Sequence, residues 1–146
     1  MVKAMEESME ESNSHNLDQI IRTSAVRIMP GRYAMAKLAP TPILSRECFF
    51  CVTTDDDETT VVVEEACLER LSYRDLQKWF LLVELAVSLP FFAVGFLART
   101  TNAISEAGLN VLVISTFSKD YLLLREETIS EAMTALKNIG FSVGSL

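Results

Sequence analysis

Phe80-Leu-Leu-Val-Glu-Leu-Ala-Val-Ser88, closed by Pro90 and followed by the run from Phe92 to Ala107, decides how this chain folds. The first nine residues read as a strand, and a proline so close behind them ends it. In the run that follows, Ala93, Phe96, Leu97, Thr100, Ala103, Ile104 and Ala107 recur at helical spacing and fall along one stripe. Gly108 stands where a left-handed C-terminal cap belongs. The spacing therefore predicts a strand and then an amphipathic helix.

Downstream the period switches again. Asn110-Val-Leu-Val-Ile-Ser-Thr-Phe117 reads as a second strand, Ser118-Lys119 as a tight connection, and Asp120-Tyr-Leu-Leu-Leu-Arg125 as a third strand. Thr128 and Glu131 have the spacing of a capping box, in which hydroxyl and carboxylate each satisfy an orphan amide at a helix start. Ile129, Ala132, Met133, Leu136 and Ile139 line one face of the helix this box would open, Gly140 ends it, and Phe141-Ser-Val143 begins a last strand. The order is β-α-β-β-α-β. Right-handed crossovers then put both helices on one face of an antiparallel sheet, an α+β, ferredoxin-like arrangement.

Upstream the signals are shorter. Leu17-Asp-Gln-Ile-Ile21, Ala25-Val-Arg-Ile-Met29 and Tyr33-Ala-Met-Ala-Lys-Leu38 read as short strands, the last two split by Pro30-Gly31. Pro40 and Pro42 mark a connection. Cys48-Phe-Phe-Cys-Val-Thr-Thr54 and Thr59-Thr-Val-Val-Val-Glu-Glu65 form a hairpin, with Asp55-Asp-Asp-Glu58 as its solvated tip. Consecutive acids there lack the spaced ligands and the glycine of a calcium loop. Residues 1–16 read as a flexible acidic tail, 17–75 as an abbreviated β-rich unit, and 76–146 as a complete one. A sheet of some 65 residues covered on one face is too small to stand alone, so the upstream hairpin, a second copy of the chain, or both must cover it.

Composition narrows the function. The formal charge of −7 and the absence of clustered Lys and Arg argue against a nucleic-acid partner. The single histidine, His15, falls in the tail, which leaves catalytic residues, a metal site and a bound cofactor without candidates. Cys48, Cys51 and Cys67 leave an odd thiol, and with no apolar leader at the start they point to a reducing, cytoplasmic setting. The stretch Trp79 to Ala98 approaches the ~20 apolar residues that cross a bilayer. Glu84, Pro90 and Gly95 interrupt it, so no membrane span is expected.

Two segments carry a resemblance. Ile114-Ser-Thr-Phe-Ser-Lys-Asp-Tyr-Leu-Leu-Leu-Arg-Glu126 resembles the signature of small ACT-domain proteins related to the cytosolic arginine sensor (CASTOR) family, and the run from Lys37 through Cys48-Phe-Phe-Cys-Val-Thr-Thr to Val63 looks like that family's shortened first ACT unit. The resemblance implies a regulatory, non-enzymatic module with an amino acid bound between facing ACT units. Carried over by residue, one ligand surface would be Ala93, Val94, Gly95, Thr116, Phe117 and Asp120, and the facing surface Asn110 and Val111. One complete unit per chain would bring these surfaces together only in a homodimer. A downstream regulatory protein would read the change. Arginine-binding members carry an acidic residue just upstream of the glycine, where this chain has Phe92-Ala93-Val94. On residues alone, Gly95 equally suits close helix-to-sheet packing and Asp120 a turn, and a structural interaction module without ligand is the alternative reading.

Overall fold

The computed structural model describes residues 16–39, 48–87 and 93–144. In chain order its elements are α1 (residues 16–22), β1 (Ala25–Ile28), β2 (Tyr33–Leu38), β3 (Phe49–Thr54), β4 (Thr59–Glu64), α2 (Glu65–Leu68), β5 (Asp75–Ala86), α3 (Phe96–Glu106), β6 (Leu112–Ser115), β7 (Asp120–Arg125), a 3₁₀ turn (Glu126–Thr128), α4 (Ile129–Asn138) and β8 (Ser142–Val143). The downstream order β5-α3-β6-β7-α4-β8 is the β-α-β-β-α-β order read from periodicity.

β5 is the hub, because its length lets two sets of strands share it. On one edge its first half pairs antiparallel with β2, from Asp75 opposite Lys37 to Phe80 opposite Tyr33, and its second half with β1, from Val83 opposite Ile28 to Ala86 opposite Ala25. On the other edge Phe80 to Leu85 pair with β7, and β6 completes that side. The last strand does not reach β5: β1 lies between them and pairs with β8 in parallel. The upstream segment thus fills an edge of the downstream sheet, one of the coverings that its small size demanded. β4 and β3 extend the sheet beyond β2.

Three apolar clusters follow from alternation along the strands. Val83 and Leu85 of β5 and Leu122 and Leu124 of β7 face α3 and α4, where Phe96, Ile104, Ala132, Met133 and Leu136 close over them. Burying one such leucine contributes about 1.5–3 kcal/mol. Phe80, Leu82, Tyr121 and Leu123 point to the opposite face. The sheet curls there, so that Phe50 of β3 stands edge-on to Tyr121 of β7 at 4.9 Å between ring centres. Ala34, Ala36, Leu38, Val61 and Val63 form a third cluster beneath α2, Trp79 and the segment around Cys48.

Three local expectations are corrected. Residues 17–21 are helical: Leu17, Ile20 and Ile21 sit at three- and four-residue spacing and pack on the helix-side core, a stripe too short to be distinguished from a strand by pattern. The capping box does not form. The 3₁₀ turn runs straight into α4, so Thr128 lacks extended cap geometry (φ −115°, ψ 11°), and its hydroxyl donates instead to the carbonyl of Arg125 at 3.3 Å. The cysteines are not all thiols, because Cys48 and Cys67 are joined in a disulfide and Cys51 is free. The tail over 1–15, the Pro40 and Pro42 connection and Pro90 lie outside the described residues.

The other boundaries agree to within a few residues. Gly108 takes φ +75°, and the amide of Leu109 reaches the carbonyl of Ile104 at 3.2 Å, the left-handed end expected for α3. At the acidic tip, one carboxylate oxygen of Asp55 accepts from the amides of Asp57 and Glu58, both at 2.9 Å, and Glu58 pairs with Lys37. Those amides hold the Asp55 carboxyl below its ordinary range.

Candidate functional site

The C-terminal end of β5, the N-terminus of α3 and the β6–β7 turn meet at one end of the sheet around a cavity of about 600 Å³. α3 begins there because Gly95 supplies a left-handed N-cap (φ +83°), and its carbonyl accepts from the amide of Arg99 at 2.9 Å. A methyl group at Gly95 would meet Leu17 Cδ2 of α1 at 3.5 Å, which places α1 against this corner. No side chain caps the first turn of α3, so its backbone N–H groups near Phe96 to Ala98 are turned toward the cavity end with the positive pole of the helix.

The opposite wall is the four-residue turn Thr116 to Lys119. Thr116 closes it with backbone and side chain: its amide donates to the carbonyl of Lys119 at 2.8 Å, and its hydroxyl lies 3.0 Å from that carbonyl and 3.1 Å from the Lys119 amide. The turn is thus held by Thr116, not by Asp120. Asp120, the first residue of β7, lies opposite Ser115 across the hairpin and accepts the Ser115 hydroxyl at 2.6 Å. Its neighbour Lys119 turns to the other face of the sheet and pairs with Glu84 at 3.0 Å. Glu84 is only 7% exposed, and this contact raises the Lys119 pKa. The ammonium that adjoins Asp120 in sequence is therefore committed elsewhere.

Of the eight residues expected to contact a ligand, Ala93, Gly95, Thr116, Phe117 and Asp120 line this one cavity. Val94 sits in the bend before α3, 91% exposed and outside the lining. Asn110 and Val111 lie at the far end of β6, Asn110 exposed and Val111 packed on the helix-side core. Sequence reasoning missed Leu85 and Val87, which give an apolar floor, and Ser115. A hairpin register drawn outward from Ser118-Lys119 pairs Ser115 with Leu122; the turn is centred instead on Phe117-Ser118, and that one-residue shift is what brings Ser115 opposite Asp120. Among the described residues no group of three or more His, Cys, Asp or Glu is arranged to hold a metal, and no helix is long and apolar enough to cross a membrane.

Comparison with known proteins bears on the fold. Residues 79–138 match the family model of the ACT domain. No curated protein matches. Among solved structures the chain is similar to a Vibrio cholerae protein of unknown function, at 20% identity and a TM-score of 0.75 over 88% of this chain and 98% of that one. It is similar to an Agrobacterium tumefaciens protein at 23% identity and a TM-score of 0.70, covering 83% and 92% of the two chains. It also resembles the regulatory subunit of aspartate kinase from Thermus flavus, at 10% identity and a TM-score of 0.56, covering 79% and 96%. Identities this low speak for the fold alone. The chain has an α+β, ferredoxin-like ACT fold, and residues 79–138 are its ACT domain.

Proposed function

We propose that this protein is a cytoplasmic, non-enzymatic regulatory module related to the cytosolic arginine sensor family, which binds an amino acid at an interface between ACT units. In this reading residues 17–75 are an abbreviated ACT-like unit and 76–146 the complete one. The observation that carries it is the convergence of Gly95, the first turn of α3, Thr116, Phe117 and Asp120 on one cavity. Its volume falls in the ~300–1,000 Å³ range of small-molecule sites.

Chemistry supports a zwitterion. The amides at the start of α3 suit a ligand carboxylate, and Asp120, left unneutralised by Lys119, suits an α-ammonium group. Leu85, Val87 and Phe96 suit a neutral side chain, and the stretch before Gly95 carries no second carboxylate for a guanidinium. Asn110 and Val111 would come from a facing unit, so ligand would favour one mutual orientation of two chains and pass that change to a regulatory partner.

A thermal-shift screen against the common amino acids tests this. One compound should raise the melting temperature in a concentration-dependent way, by the amount that mass action sets, and Asp120→Ala should abolish the response. Sedimentation with and without that compound should show its effect on pairing. No response to any amino acid, with the wild-type chain folded, refutes the reading and leaves an interaction module without ligand.

A further inference from the structure

The ligand cavity leaves the Cys48–Cys67 disulfide unexplained. This bond ties the residue before β3 to the middle of α2, 19 residues on, with the Cα atoms 5.8 Å apart. α2 has four residues and buries none of them, so it has little of its own to keep it in place. Together with Leu68, Leu71 and Trp79 it roofs the cluster of Ala34, Ala36, Leu38, Val61 and Val63. Both cysteines are half-buried, within reach of a small thiol.

α2 also leads to the other half of the fold. Glu65, its first residue, receives the Arg32 guanidinium, with Nε at 2.8 Å from one carboxylate oxygen. The same guanidinium reaches Glu126 at 3.3 Å, in the turn that opens α4, and lies 4.7 Å from the centre of the Trp79 ring. One cation therefore joins α2, β5 and the start of α4.

We propose that Cys48 and Cys67 are a reversible thiol–disulfide site for low-molecular-weight thiols, and that its state governs whether α2 stays docked on Trp79 and Arg32. A reductant thiolate attacks one sulfur of the bond to give a mixed disulfide and releases the other cysteine. A second reductant thiolate then resolves the mixed disulfide. Two thiols leave as one disulfide, and their two electrons and two protons end on Cys48 and Cys67. Cys51, the third sulfur, packs with the cluster on the other face of β3 and takes no part. The proposal does not depend on the ligand cavity.

The test uses the full chain equilibrated with glutathione couples of graded ratio. After oxidation, alkylation under denaturing conditions should modify one cysteine in the wild type and none in Cys51→Ser; after reduction, three and two. Hydrogen exchange over residues 65–71 should quicken at least about tenfold on reduction, while Leu81 to Leu85 and Tyr121 to Leu124 stay protected. The emission of Trp79, the only tryptophan, should shift in parallel. Cys67→Ser should behave as the reduced protein in both buffers; if it fails to fold, chemical reduction of Cys51→Ser supplies the same comparison. Three alkylated cysteines after oxidation, a bond that persists across every couple, or exchange over 65–71 indifferent to reduction would each overturn the proposal.

Discussion

Replacing Gly95 by alanine probes the corner where α1, α3 and the cavity meet. The backbone there has φ +83°, a left-handed conformation that costs an L-residue roughly 1–2 kcal/mol. Alanine also restricts the unfolded chain, which returns about 0.4–1 kcal/mol. The added methyl would rest on Leu17 Cδ2 at 3.5 Å, an ordinary contact that needs no movement. The balance is a loss of about 1 kcal/mol, or about 3–5 °C in melting temperature for a chain of this size. Gly108→Ala, at φ +75° with nothing within 4 Å, should cost the same conformational energy with no contact at all. Gly95→Asn should be milder than Gly95→Ala, because asparagine tolerates the left-handed region. Urea or thermal unfolding of the three variants gives the comparison. A neutral or stabilising Gly95→Ala would refute the left-handed cap, and with it the account of why α3 begins where it presents its amides to the cavity.

Other perturbations separate the parts of the molecule. Leu122→Ala, at a fully buried position between β5 and the helices, should cost about 2–5 kcal/mol in denaturant unfolding, and a cost below 1 would mean the site is loosely packed. Thr116→Val removes the hydroxyl that closes the exposed β6–β7 turn and should cost about 1 kcal/mol, leaving the rest of the sheet unchanged by amide exchange. Asp55 is held in its charged form by two amides, so its contribution to stability is present above its unfolded pKa and lost as pH falls through its lower folded value. Melting curves of wild type and Asp55→Ala should accordingly differ by a constant amount around pH 6, still differ near the ordinary unfolded value of about pH 4, and converge only as pH falls below that through the lower folded value.

Much of the fold was legible because its elements are long enough to show a period. The stripe on α3 and the one on α4 bury Phe96, Thr100, Ala103, Ile104, Ala132, Met133 and Leu136, all singled out by spacing alone. Residues 16–22 offer too few turns for that, and what makes them helical is tertiary: Ile21 packs under the C-terminal glycine of α4, near Gly140. Thr128 shows the limit of motifs. Its spacing to Glu131 is right, but the backbone arriving from Arg125 has already begun to coil. Likewise, Lys119 adjoins Asp120 in sequence, but it ends the β6–β7 turn before β7 begins, and its ammonium reaches Glu84 on the other face of the sheet. The Cys48–Cys67 partnership depends on how β3, β4 and α2 stack, and no spacing encodes it.

β5 runs from Leu76, under the roof that Cys67 tethers, to Leu85, in the floor of the cavity, with neither glycine nor proline between them. At about 3.3 Å per residue this is a beam of roughly 30 Å, paired with β2 and then β1 along one edge and, from Phe80 onward, with β7 along the other. The beam has one break in its pairing, at Trp79, which drops out of register between Lys78 opposite Ala34 and Phe80 opposite Tyr33. That break divides it into a length beneath the α2 roof and a length that carries the cavity floor, so a shift at one end need not reach the other.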